Sequence, residues 1–195
     1  MTIVLASNSP RRKELLTKIG IEKFKIISPN VDESVEDNLS PAEIVEQLSL
    51  RKARAAAKKA GPDDLIIAAD TVVALDGAVL GKPHDEADAF AMLSALSGRE
   101  HHVYTGVTVL RGEDVVTQHE ETAVTFRDIR PDEIRGYIAT GEPMDKAGAY
   151  GIQGLASVFV DRLAGDYYNV MGLPLCALCR MLRNAGVTVL GEPAN

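Results

Sequence analysis

A chain of 195 residues, 46% hydrophobic and 25% charged, reads as one ordinary globular domain, 1–195, long enough to bury a sizeable core. Its formal net charge of −7 argues against a nucleic-acid surface, which needs a basic patch, but leaves room for a small phosphorylated ligand held by a few local cations. No stretch approaches the ~18 apolar residues of a bilayer span. In the opening MTIVLASNSPRR the arginines follow the short apolar run, so no signal peptide and no membrane association are expected.

In chain order, Ile3 to Ala6 is a short buried strand. Ser9-Pro10 opens a helix, with Ser9 as N-cap, Leu15, Leu16 and Ile19 on its apolar face, and Gly20 at its end. Phe24 to Ser28 is a second strand. Ser40-Pro41-Ala42-Glu43 is a capping box that starts a long helix to about Ala60, stopped by Gly61-Pro62. Leu65 to Ala69 is an all-apolar strand ending on Asp70. Thr71 to Leu75 and Ala78 to Leu80 flank Asp76-Gly77 as a hairpin. Asp85 to Leu96 is a helix closed by Gly98. His102 to Leu110 and Val115 to Phe126 are long strands joined near Gly112-Glu113. Pro131 to Ala139 is a helix, Val158 to Leu163 a strand, and Leu173 to Asn184 the last helix. Interleaved helices and strands with a long central hairpin predict a mixed α/β sheet with flanking helices.

Between these elements lies Glu142 to Gly154, EPMDKAGAYGIQG, too irregular for a helix face and too rich in glycine for a strand. Its glycines suit either a turn or a loop whose backbone approaches a ligand. Other polar groups also stand out. In Ser7-Asn8-Ser9-Pro10-Arg11-Arg12 a strand turns into a helix whose first turn is doubly basic. Cations there oppose the helix dipole, which an anion on the helix N–H groups and arginines would relieve; the alternative is a solvated basic turn. Asp70 sits at the expected end of a buried strand, where ligands of open α/β sheets gather; the alternative is a turn cap. Lys82 is held between Gly81 and Pro83. Lys52 on the long helix and Glu33 in its loop are unspecific by themselves.

Other chemistries are set aside. Val72 stands where a haloacid-dehalogenase-type site needs its second aspartate. His101 and His102 point to opposite faces of a strand, and His84 and His119 stand alone. Cys176 and Cys179, the only cysteines, lack a second pair for zinc and are expected to pack in the core of the last helix. Few cysteines and no signal fit a cytoplasmic protein.

Several of these residues recur in an ordered set. It runs Ser7-Asn8-Ser9-Pro10-Arg11-Arg12, Ala68-Ala69-Asp70-Thr71-Val72-Val73, Gly81-Lys82-Pro83, Leu96-Ser97-Gly98 with Thr105-Gly106-Val107, Asp145 to Gly154, and Asn169-Val170-Met171-Gly172-Leu173-Pro174. Together it resembles the Maf family, nucleotide pyrophosphatases linked to septum formation, over nearly the whole chain. Lys146 with Ile152-Gln153 resembles the branch acting on dTTP and UTP. The resemblance implies a mixed twisted sheet in two lobes around a central cleft, a homodimer, a nucleoside triphosphate substrate and a divalent cation, Mg²⁺ or Mn²⁺. Carried over by position, Asp70 is the base and, with Glu33, the metal ligand. Lys52, Lys82 and Arg12 hold phosphates, and Arg12, Thr71 and Gln153 are tied to substrate choice. Ser7 and Arg11 join them as substrate-binding candidates. The implied reaction splits the triphosphate between its α- and β-phosphates. The glycine-rich stretch is then the far wall of the cleft, and Lys146 either supports that wall or touches substrate. The rival reading is a nucleotide-binding regulator of cell division without turnover; retention of both acids and all the cations favours an enzyme.

Overall fold

The computed structural model describes residues 1–36 and 38–190, so the expected domain bound at Asn195 lies outside the described residues. Seven strands form one mixed sheet: β1 (Ile3–Ala6), β2 (Phe24–Ile26), β3 (Leu65–Leu75), β4 (Ala78–Leu80), β5 (Glu100–Arg111), β6 (Asp114–Phe126) and β7 (Val160–Ala164). Their order is β2-β1-β3-β5-β6-β7, with β4 paired to β3. β1 pairs parallel with β2 and β3, and the remaining pairs are antiparallel.

The helices are α1 (Pro10–Lys18), α2 (Pro41–Ala57), α3 (Glu86–Leu96), α4 (Pro131–Ile138), α5 (Tyr167–Met171) and α6 (Leu175–Asn184). Local chemistry explains two starts. Ser9 caps α1 ahead of Pro10, and Ser40 and Glu43 close a reciprocal capping box on α2. α2 stops at Ala57, three residues short of expectation, with turns through to Ala60. α5 was not anticipated, although Asp166 accepts from Tyr168 N at its start and Gly172, at φ 105°, ends it.

Alternation along β3 divides the core. Ile66, Ala68 and Val72 face α2, packing with Ala53, Ala56, Ile44, Val45 and Leu48. Leu65, Ile67, Ala69, Val73 and Leu75 face the other side, where α1, α3, α4 and α6 bury Leu15, Leu93, Ile134 and Leu178. α2 sits unusually close to the sheet because Gly106 lacks a side chain; a Cβ there would run into the Val45 carbonyl. The hairpin at Asp76-Gly77 has both residues at positive φ, 51° and 81°, the type I′ geometry expected of this pair.

Two expectations change. β3 does not end at Asp70; it runs on to Leu75 because β5 pairs with it continuously from Ile66↔Leu110 to Ala74↔His102. The cysteines are not core residues: Cys176 is exposed and Cys179 partly so. The buried face of α6 is instead carried by Leu175, Leu178, Met181 and Leu182.

Candidate functional site

Asp70 owes its setting to a gap on one edge of β3. β1 pairs only as far as Ala68, and β4 begins to pair at Val73. Between them the edge of Ala69 to Val72 opens into a cleft of about 800 Å³, within the range of small-ligand sites. Side chains on both faces of the sheet reach it around this edge.

On the α2 face, Lys52 stands between two acids. Its Nζ is 2.7 Å from Glu33 Oε1 and in contact with Asp70 Oδ1. The loop carrying Glu33 is tied to the same helix, because Arg51 Nη1 donates to Ser34 O at 2.6 Å and Asp32 O at 3.2 Å. The hydrogen bond from Lys52 is the main reason the Glu33 carboxyl titrates below its ordinary range, with Lys82 and Arg12 adding to it. Each acid gives one oxygen to Lys52; Glu33 Oε2 and Asp70 Oδ2 accept from no described residue. Among the described residues no cluster of three or more metal-ligating side chains exists. Two convergent carboxylates with spare oxygens nevertheless fit a hard cation that takes its other ligands from phosphate and water, as Mg²⁺ does.

Arg12 lies on the opposite face. Its Nε donates to Gly172 O at 2.8 Å, Nη1 to Ala69 O at 2.7 Å and to Ser7 Oγ at 3.5 Å, and Nη2 to Thr71 Oγ1 at 3.0 Å. Four of the five N–H groups of the guanidinium are thus committed to the protein. Arg12 fills the gap in the sheet edge by satisfying a carbonyl that no strand reaches. Burial lowers its pKa below that of an ordinary arginine, with Asp70 opposing the shift. Ser7 Oγ also accepts from Ser9 N at 3.1 Å, closing the turn into α1. Arg11 lines the cleft with no hydrogen bond to a described side chain or backbone group, as does exposed Lys82.

The far wall is the glycine-rich stretch. Gly148 N donates to Gly81 O at 2.9 Å, joining it to the Lys82 turn. Gly154 N donates to Gly151 O at 3.0 Å, making a turn with Ile152 buried and Gln153 exposed toward the cleft. The Gln153 side chain bonds to no described residue, so it does not tie down its own loop. That task falls to Glu142, whose Oε1 accepts from Tyr137 Oη at 2.9 Å and Oε2 from Leu155 N at 3.1 Å. Gly151 N donates to Tyr137 Oη at 3.3 Å. The glycines make room for this clamp: a Cβ on Gly154 would collide with the Glu142 carboxylate, and one on Gly151 would lie 2.7 Å from Lys146 Cε. Lys146 is a support, since its Nζ folds back to Glu142 O at 2.6 Å and Asp145 Oδ1 at 2.7 Å.

The cleft therefore collects Ser7, Arg11, Arg12, Glu33, Lys52, Asp70, Thr71, Lys82 and Gln153, every residue expected from the sequence. Tyr137, and a buried Thr105–Asn169 pair behind Thr71, were not anticipated as parts of the site, and Glu142 was expected only as one end of the far wall, not as its anchor. Thr105 and Asn169 do fall within the ordered motifs, which was the one signal available.

Sheet and cleft define a class, a two-sided α/β fold opening at the edge of its inner strand β3. The HAM1 protein from Coxiella burnetii shares it, with a TM-score of 0.52 at 18% identity over 94% of this chain and 99% of that one, a likeness of fold alone. Within that class the chain belongs to the Maf family, whose Maf-like protein model matches residues 2–185. It is 51% identical over 187 residues to a dTTP/UTP pyrophosphatase of Symbiobacterium thermophilum, covering 96% of this chain and 95% of the relative. It is 54% identical over 194 residues to a dTTP/UTP pyrophosphatase of Moorella thermoacetica, covering 97% and 98%.

Proposed function

We propose that the chain is a nucleoside triphosphate pyrophosphatase that hydrolyses dTTP and UTP to the monophosphate and pyrophosphate. The observation that carries this reading is about half identity, along nearly the full length, to relatives bearing that activity in their names. The cleft's two carboxylates and unpaired cations are the chemistry such a reaction uses.

The triphosphate lies across the cleft, with its phosphates toward Arg11, Lys52 and Lys82 and its base toward Thr71 and Gln153. Positioning and charge neutralisation carry most of the catalysis of phosphoryl transfer. Asp70 Oδ2, spare and at the mouth of the gap, accepts the proton of a water attacking the α-phosphorus. The bond from that phosphorus to the oxygen bridging the β-phosphate breaks, and pyrophosphate leaves. Lys82 and Arg11 offset its charge. Arg12, mostly committed to Gly172, Ala69, Ser7 and Thr71, offers its one remaining N–H and chiefly shapes the base side. Glu33 and Asp70 would hold Mg²⁺ or Mn²⁺, which would neutralise phosphate charge and lower the pKa of bound water. Homodimerisation, residence in the cytoplasm, and roles in division arrest or in clearing modified pyrimidine nucleotides complete the proposal.

The test is phosphate release from dTTP, UTP, CTP and purine triphosphates, with and without added inorganic pyrophosphatase. Signal that needs the pyrophosphatase supports the reading. Direct orthophosphate would place the cleavage elsewhere, and tight binding without turnover would favour a nucleotide-binding regulator.

A further inference from the structure

Thr71 and Thr105 are cross-strand partners of β3 and β5, with their Oγ1 atoms 2.9 Å apart. Two hydroxyls in isolation can donate in either direction. Here both ends of the chain of hydrogen bonds are determined. Thr105 Oγ1 donates to Asn169 O at 2.9 Å, and a backbone carbonyl can only accept. The single hydrogen of Thr105 is therefore committed, and its oxygen accepts from Thr71. At the other end Arg12 Nη2, which can only donate, reaches Thr71 Oγ1 at 3.0 Å. Asn169 is fully buried, and its Nδ2 donates to Val103 O and Thr122 Oγ1 at 2.9 Å each, so the accepting carbonyl is well anchored. Toward the cleft it lines, Thr71 has only an acceptor lone pair left to offer.

We infer that Thr105, a positioning residue with no access to substrate, sets base selectivity by turning the Thr71 hydroxyl into an obligate acceptor. The cleft then favours a base with an N–H at that edge, the N3–H of uracil or thymine. Cytosine N3 is itself an acceptor, and two lone pairs would face each other without a hydrogen between them. Guanine also carries an N–H at its pairing edge, so its exclusion is a matter of size and not of this contact. The inference rests on the proposed pyrophosphatase reading and adds to it a source of selectivity remote from the substrate.

The test measures kcat/KM for UTP and CTP by pyrophosphate release, with melting temperatures, on wild type, Thr105→Val, Thr105→Ser and Thr71→Val. Thr105→Val keeps the shape but removes the acceptor, so Thr71 is free to donate to cytosine N3. The UTP-to-CTP ratio should fall on the order of 10-fold or more, and Thr105→Ser should restore it. A purely structural Thr105 would lower Tm and both kcat/KM values together; an unchanged ratio in Thr105→Val overturns the inference. If Thr105→Val does not fold, because it leaves Asn169 O without its donor, Thr71→Val decides. Its ratio should fall toward one, and a wild-type ratio there overturns the inference. Wild-type protein that hydrolyses neither triphosphate overturns the proposed function and the inference with it. Turnover with a ratio indifferent to these changes overturns the inference alone.

Discussion

Asp70 and Thr71 are neighbours in the chain yet face opposite sides of the sheet: Asp70 meets Lys52 of α2, and Thr71 meets Arg12 of α1. One step along β3 thus separates the Lys52–Asp70 pair from the Arg12–Thr71 pair proposed to face the base. Both sets reach one cleft only because the edge of β3 is bare between β1 and β4.

Asp70→Asn keeps the size of the side chain and an oxygen for Lys52 but cannot take a proton. Turnover should drop by ~10²–10⁴-fold, the usual loss for a general base, while triphosphate binding persists. Steady-state kinetics beside a binding isotherm measure this. Near-wild-type kcat in the folded variant would remove Asp70 from the mechanism.

Lys82→Ala should weaken the triphosphate more than the monophosphate product. Lys82 is exposed at the cleft and bonded to no described residue, so the variant should melt like wild type. Calorimetric titration with both ligands decides; equal losses would place Lys82 away from the leaving pyrophosphate.

Gln153→Ala should lower kcat/KM for UTP roughly 10- to 100-fold and reduce the preference over CTP, with Tm unchanged. Its side-chain amide can donate to O4 of uracil or thymine, beside the N3–H that Thr71 accepts. A fall in Tm with an intact base preference would instead make Gln153 a structural residue.

Gly154→Ala drives a methyl group into the Glu142 carboxylate and should cost about 1–3 kcal/mol, the range for overpacking. Glu142→Gln makes the complementary case. It retains the acceptor for one of Tyr137 and Leu155 and should loosen the Gln153 turn with a smaller change in Tm. Denaturant melts and KM for UTP check both, and an unperturbed Gly154→Ala would refute the clamp.

His101 supplies a pH dependence. Burial pulls its pKa down to about 4, in a pocket where Nε2 meets Tyr150 Oη at 2.8 Å. Between that value and the ordinary 6.5 the unfolded chain binds a proton that the folded protein does not. Stability is therefore complete above the unfolded pKa and falls as pH drops, by about 2 kcal/mol between pH 7 and pH 5 from this group. His101→Gln should lack that component. Urea melts of both proteins at the two pH values measure it; parallel losses would acquit His101.

Much was legible because it is local. Ser40, Pro41 and Glu43 cap α2 through contacts within four residues, and a continuous apolar run announces β3, where the sheet has two dry faces. The ordered motifs pointed to the family and hold the cleft residues expected except Glu33 and Lys52, which came by position from the resemblance alone. Thr105 and Asn169 were not read as site residues, and Glu142 not as the anchor of its wall, because such side chains look like filler until their partners are known.

The sequence by itself determined most of the helices and strands, α5 and the full length of β3 excepted, which residues carry charge or an amide, and the order of motifs that marks the family. The tertiary structure decided where those groups point and what they are free to do. Nothing near Arg12 in the chain says that Gly172, 160 residues away, takes its Nε–H while Ala69 and Thr71 take two more. Asp70 looked like a strand end, but pairing with β5 carries β3 past it. The physical reason is common to both. Periodicity and caps are satisfied within a turn or a strand, whereas the partner of a hydrogen-bonding group, and so its remaining capacity, depends on which distant segment the fold lays beside it.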